Sequence, residues 1–62
     1  MIELAKRFIG KECVIYAFDS DHQFRGTVKE VTGAAVLIEN KGVVEAINLD
    51  YVIRIKEIAA RK

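Results

Sequence analysis

Cysteine is almost absent from this chain of 62 residues: Cys13 is the only one, so no disulfide forms within the chain. A zinc site built from several cysteines is excluded too. The single histidine, His22, leaves no His/Cys cluster with the spacing of metal ligands. We therefore predict no metal and no cofactor. Domains this small usually need disulfides, a metal or self-association for stability, so self-association is the stabiliser that remains.

The chain also lacks an excess of charge of one sign and a long apolar run. Ten basic and nine acidic side chains give a formal net charge of +1, which indicates no sequence-wide attraction to nucleic acid or membranes. No apolar run approaches the roughly 20 residues of a membrane span, and Met1–Arg7 is too short and too charged for a secretory signal. We expect a soluble, cytoplasmic protein that does not bind membranes.

The first residues have the spacing of an amphipathic helix, predicted at about 2–9. Apolar residues recur at i, i+3, i+4 and i+7 in the order Met1, Leu4, Ala5, Phe8 and Ile9. Gly10 follows where a helix commonly ends in a residue with positive φ.

The rest of the chain, about 11–58, has the pattern of five short strands. The predicted strands are Cys13–Phe18, Phe24–Lys29, Ala34–Asn40, Val43–Ile47 and Val52–Ile58. Ala34–Ile38 is almost wholly apolar, which favours a strand covered on both faces. Gly26 suggests a bend, Lys41-Gly42 a tight hairpin, and Asn48–Tyr51 a single 3₁₀ turn.

Together these elements predict a single domain over residues 1–62 that is mainly β. A short N-terminal helix would precede a bent five-stranded barrel of the SH3 type, because no second helical segment separates the strands as a βαβ fold requires. The fourth and fifth strands are apolar and would be prone to aggregation if left exposed. We therefore predict a homo-oligomer, with copies joined through Val43–Ile47 and Val52–Ile55 in a closed ring.

Several stretches resemble the Sm-like family (LSm and Hfq-type proteins). Three stretches resemble the first Sm motif: Gly10–Tyr16, Phe24–Val28 and Val31–Asn40. Ala46–Ile53 occupies the place of the second Sm motif. The resemblance covers about residues 4–57. Thr32 stands where the family has an acidic residue, and Asn48-Leu49-Asp50 where its second motif has Arg-Gly.

The resemblance implies an N-terminal helix over a five-stranded barrel, rings joined between the fourth and fifth strands, and binding of single-stranded RNA. In such rings the loops at 32–34 and 48–51 converge on the pore. On this basis the candidate RNA-binding residues are Thr32, Gly33, Ala34, Asn48 and Tyr51. Lys6 and Arg7 are candidates for phosphate contacts, although ordinary surface charge is the competing interpretation.

Other residues with reactive or aromatic side chains favour simpler roles. His22 lies beside Asp19 and Asp21 but has no further ligand or pocket, so a solvated loop is expected, and Cys13 is expected to pack in the core. No catalytic group can be assembled, and we predict no enzymatic activity. Among the aromatic residues, Tyr16, Phe18 and Phe24 are expected in the core and Tyr51 on the surface.

Two functions follow from this sequence. The first is a homo-oligomer of the Sm-like type that binds single-stranded RNA through its pore-side loops. The alternative is a protein-interaction or scaffold module that keeps the barrel without a nucleotide site.

Overall fold

The computed structural model describes residues 2–18 and 22–58, which form one short helix and five strands. The elements are α1 (Ile2–Lys6), β1 (Glu12–Ala17), β2 (His22–Val31), β3 (Ala35–Asn40), β4 (Val43–Asn48), a 3₁₀ turn (Leu49–Tyr51) and β5 (Val52–Glu57). The predicted mainly β fold with an N-terminal helix is confirmed, as is the 3₁₀ turn. The loop predicted at Asp19–Asp21 lies outside the described residues.

The five strands form one antiparallel sheet in the order β4-β3-β2-β1-β5. The sheet is open, because β4 and β5 are its two edges and do not pair with each other. The prediction of a barrel is therefore not confirmed. The amide of Phe18 donates to the carbonyl oxygen of Tyr51 at 2.9 Å, which fixes the start of β5 beside the end of β1, and the free edges of β5 and β4 lie at the two ends of the sheet.

The helix is shorter than the predicted 2–9 and ends at Lys6. The next three amides, those of residues 7–9, donate to carbonyl oxygens three residues back, which is 3₁₀ rather than α geometry. Gly10 has φ of 87° and donates to the carbonyl oxygen of Val28 at 2.7 Å, so the chain passes directly from helix to sheet. Gly10 thus has the positive φ predicted for it.

The helix also packs through a different face from the predicted one. Ala5 is fully buried, and Ile2 and Phe8 pack against the core. Leu4 is 60% exposed and Ile9 is 44% exposed, so the apolar face predicted from the spacing is buried only in part. The residues that reach the core are thus spaced three apart, at positions 2, 5 and 8.

The core lies on one face of the sheet, under the helix. Its buried members are Ala5, Cys13, Ile15, Val28, Val31, Val36, Ile38, Ile47, Leu49 and Val52. In β3, residues 36 and 38 are buried whereas 35 and 37 are only half-buried. The prediction that this strand is covered on both faces is therefore wrong, because its outer face stays partly exposed.

The predicted hairpin between β3 and β4 is present. Lys41 (φ 54°) and Gly42 (φ 85°) both adopt the left-handed conformation, as a two-residue type I′ hairpin requires. This turn sets the register in which Asn40 lies opposite Val43.

Candidate nucleic-acid interface

The two loops predicted to bind RNA lie side by side. The amide of Leu49 donates to the carbonyl oxygen of Ala34 at 2.8 Å, and Ala35 lies opposite Asn48 in the β3–β4 register. Most of the predicted residues, at positions 32–34, 48 and 51, are exposed. The fold therefore brings these loops together into one polar surface, which we call the loop pair (Thr32–Ala34 and Asn48–Tyr51).

The polar side chains of the loop pair hold the loops in shape. The Oγ1 of Thr32 accepts hydrogen bonds from the amides of Ala34 and Ala35, each at 3.1 Å. The Oδ1 of Asn48 accepts from the amide of Asp50 at 2.9 Å and caps the 3₁₀ turn. Among the described residues the Nδ2 of Asn48 donates no hydrogen bond, so it is the amide group that remains for an external contact.

Lys6 and Arg7 are exposed but lie at the far end of the helix from the loop pair. The amino end of α1 is at Gly33, where a Cβ would lie 3.8 Å from the Cδ1 of Ile2. The carboxyl end is held at β2, where Ile9 pairs with Val28. The structure thus does not bring the two predicted basic residues into contact with the predicted loops.

A second polar surface, not anticipated from the sequence, lies on the outer face of the sheet. In β1, residues 13, 15 and 17 are buried, so Val14 and Tyr16 point outward. Arg25 and Lys56 lie on either side of Val14 in the register, and Arg54 lies beside Tyr16. Directly opposed residues in an antiparallel sheet point to the same face. These side chains, Arg25, Arg54 and Lys56 around Tyr16, form what we call the basic face.

Arg54 and Tyr16 are in direct contact. The guanidinium carbon of Arg54 lies 4.8 Å from the centroid of the Tyr16 ring, within the distance of a cation–π interaction. Both Arg54 and Lys56 are exposed. The ring therefore orients one cation on the surface while the charge stays accessible to an anion.

Few carboxylates neutralise the basic face. Arg25 pairs with Glu12 at 3.4 Å, and both side chains are more than half exposed, so the pair is weak. Glu57 lies on the opposite face of the sheet, opposite Cys13, and pairs with Lys11 at 3.8 Å. Arg54 and Lys56 form no ion pair among the described residues. The small net charge of the sequence, +1, thus conceals a locally positive surface.

Two aromatic residues, Phe18 and Tyr16, depart from their predicted positions in the core. Phe18 is 55% exposed, so its predicted place in the core is wrong. Its φ of 63° turns the chain away from the sheet directly after Ala17. Tyr16 is half-buried on the outer face of the sheet, so its predicted place in the core is wrong too. Phe24 packs against the core as predicted, and Tyr51 is exposed as predicted.

Cys13 and His22 take structural positions. Cys13 is fully buried, as predicted, and burial raises the pKa of its thiol, with the carboxylate of Glu57 as the second cause. His22 begins β2, where its ring lies edge-on to Phe18. Within residues 2–18 and 22–58, no three His, Cys, Asp or Glu side chains lie together as metal ligands would.

Comparison with known proteins adds no family assignment. No model of a known protein family matches the chain, and neither a curated protein nor a solved structure is significantly similar to it. Within the part of the chain that the structure describes, the helices are too short and too polar to cross a membrane. The functional argument therefore depends on the residues and their geometry.

Proposed function

We propose that this protein is a homo-oligomer of Sm-like modules that binds single-stranded RNA. The observation that carries the proposal is the basic face, in which Arg54 lies over the ring of Tyr16 with Lys56 and Arg25 on the same surface. Cations combined with an aromatic ring suit the phosphates and bases of a single strand. Repetition of this face in an oligomer would multiply the phosphate contacts of each copy.

The proposed assembly joins β4 of one copy to β5 of the next. Both are edge strands of six residues, and each exposes backbone groups that can pair with another chain. Their exposed apolar residues support the proposal: Val43 is 60%, Val44 57% and Ile53 50% exposed. Pairing of unlike edges is head-to-tail, so it continues until a ring closes.

A cleft beside the β4 edge provides further apolar surface for such a contact. It measures about 380 Å³, and Phe24, Ile38 and Val43 are among its lining residues. Residues 25, 41 and 45 bring charge to its lining. A neighbouring copy paired with β4 would cover this cleft.

In the proposed complex the loop pair contacts bases and the basic face contacts phosphates. The amide of Asn48 and the exposed ring of Tyr51 are the groups for hydrogen bonding and stacking. Lys6 and Arg7, at the far end of the helix, are not needed for these contacts.

Fluorescence anisotropy with short labelled oligo-U and oligo-A, each at low and high salt, tests the RNA proposal. We expect saturable binding that weakens with salt. In an Arg54→Gln/Lys56→Gln variant the slope of log K against log salt should fall in magnitude by about 0.7 for each phosphate that the protein no longer neutralises. Absence of binding to both oligonucleotides at low salt would refute the proposal.

Two matched variants make this experiment specific. Lys29→Gln removes a cation that is not part of the basic face and whose Nζ lies 3.6 Å from Glu39, so the affinity should fall less than in the Arg54→Gln/Lys56→Gln variant. Lys6→Gln/Arg7→Gln removes two charges from the helix. If this variant loses more affinity than Arg54→Gln/Lys56→Gln, the basic face is not the phosphate site.

The second candidate function is a protein-interaction module. One observation favours it: the Oγ1 of Thr32 and the Oδ1 of Asn48 are both occupied by backbone amides of their own loops. A protein that oligomerises normally and binds neither oligonucleotide would support this candidate against the first.

A further inference from the structure

Three aromatic side chains form an exposed cluster at one corner of the sheet. The rings of Phe18 and Tyr51 stack with centroids 5.0 Å apart and planes inclined by 27°. The ring of His22 meets Phe18 edge-on, 5.3 Å away and at 71°. Phe18 is 55% and Tyr51 51% exposed. We call this cluster, Phe18, His22 and Tyr51, the aromatic corner.

The backbone at Phe18 is in an unfavourable conformation. Its φ of 63° lies in the left-handed region, which side chains as bulky as phenylalanine seldom adopt. The hydrogen bond from the Phe18 amide to the Tyr51 carbonyl oxygen, 2.9 Å long, holds it there. Such strain persists where the surrounding structure enforces it, and it concentrates at binding sites. Here it keeps an apolar ring half in solvent.

The charge next to the rings of the aromatic corner is acidic. Asp50 is exposed and directly precedes Tyr51, and residues 48–53 contain no lysine or arginine. Carboxylates beside aromatic rings repel phosphate and attract cations. The charge therefore disfavours the phosphates of an RNA strand at this corner.

We propose that the aromatic corner is a docking site for an arginine side chain of a partner polypeptide. The guanidinium group stacks on the outer face of Tyr51, the face turned away from Phe18, and pairs with the carboxylate of Asp50. Arginine suits both contacts because its planar cation stacks on aromatic faces and hydrogen-bonds to carboxylates. The contact between Arg54 and Tyr16 shows the same stacking within this protein. The site is separate from the basic face. It shares Tyr51 with the loop pair, so an arginine side chain and an RNA base would compete for this ring.

The test uses two short peptides that differ only in charge: one contains arginine, and the other contains the neutral analogue citrulline at the same positions. Binding is followed by NMR on the ring resonances of Phe18, His22 and Tyr51 in the intact protein. We expect saturable shifts at these rings with the arginine peptide, and at least about 3-fold weaker binding of the citrulline peptide. Equal binding of the two peptides, or shifts confined to other residues, would overturn the proposal.

Three variants complete the test. Phe18→Asn removes the ring while keeping a residue that tolerates the left-handed backbone, and Asp50→Asn removes the carboxylate. Each should weaken binding of the arginine peptide, whereas Leu4→Ala, an exposed apolar residue outside the corner, should not. An oligonucleotide that shifts the same three rings when the arginine peptide does not would assign the corner to bases instead. The Arg54→Gln/Lys56→Gln variant should lose RNA affinity but still bind the arginine peptide. The RNA proposal and the arginine-docking proposal can therefore fail separately.

Discussion

The carbonyl oxygen of Glu39 lies 2.7 Å from the position that a Cβ on Gly26 would occupy. Real Cβ atoms do not approach a backbone oxygen so closely, so β3 packs against β2 only because residue 26 has no side chain. The glycine is fully enclosed in the middle of a ten-residue strand. The close approach of these strands thus depends on one position.

Gly26→Ala should therefore destabilise the protein, by about 1–3 kcal/mol, which is typical of overpacking. Denaturant unfolding at a fixed protein concentration measures this change. Gly33→Ala is the matched control, because its Cβ would meet only the Cδ1 of Ile2, at an ordinary 3.8 Å, and its stability should change by less than about 1 kcal/mol. Equal stabilities for the two variants would contradict the steric argument.

Charge placed on either edge strand should block the proposed assembly. Val44→Lys on β4 and Ile53→Lys on β5 put a lysine where a neighbouring strand would pair. We expect sedimentation to give an oligomer for the original chain and a mass near 7.0 kDa for each variant. Leu4→Lys is the control, because Leu4 is 60% exposed but lies on the helix. A mass near 7.0 kDa for the original chain at all protein concentrations would refute the assembly.

Mixing the two edge variants distinguishes head-to-tail pairing from pairing of like edges. A Val44→Lys copy retains an intact β5, and an Ile53→Lys copy retains an intact β4. A mixture should form dimers and nothing larger, since only one usable β4–β5 interface exists. If Ile53→Lys alone forms dimers, β4 pairs with β4 and a ring through unlike edges is wrong.

Substitution of Asn48 separates its structural contact from the proposed contact with RNA. Asn48→Ala removes the Oδ1 that caps the 3₁₀ turn and should cost about 1 kcal/mol, whereas Asn48→Ser keeps an oxygen acceptor and most of the stability. Both variants lack the amide donor, so both should bind RNA more weakly in anisotropy titrations. Full affinity in the folded Asn48→Ser variant would exclude the amide as a base contact.

The Cys13 thiol should make stability depend on pH at the alkaline end. Burial raises its pKa in the folded state, so the folded protein favours the protonated thiol. Its stabilising contribution is fully present below the unfolded-state pKa and is lost as pH rises from there through the folded-state pKa. Stability measured by denaturant across that range should fall more steeply for the original chain than for Cys13→Ala, which lacks the group. Parallel curves would contradict this assignment.

Much of the secondary structure was predictable because its signals are local. Alternation and turn residues indicated five strands, and Gly10 and Lys41-Gly42 have the predicted positive φ values. The helix was overestimated because its apolar spacing continues to Ile9, whereas the hydrogen bond from Gly10 to Val28 ends it earlier. That contact joins residues far apart in the sequence, so no local pattern contains it.

Of the candidate site, the loop pair was predictable and the basic face was not. The turn residues at 32–34 and 48–51 are visible in the sequence, but the proximity of Arg25, Arg54 and Lys56 depends on which strands pair and in which register. The sequence by itself determined the number of strands, their turns and the buried alternation of β1, since these follow from side-chain periodicity along one segment. Only the tertiary structure decided that the sheet stays open, that Phe18 is exposed and that three cations share one face, because each results from contacts between distant segments.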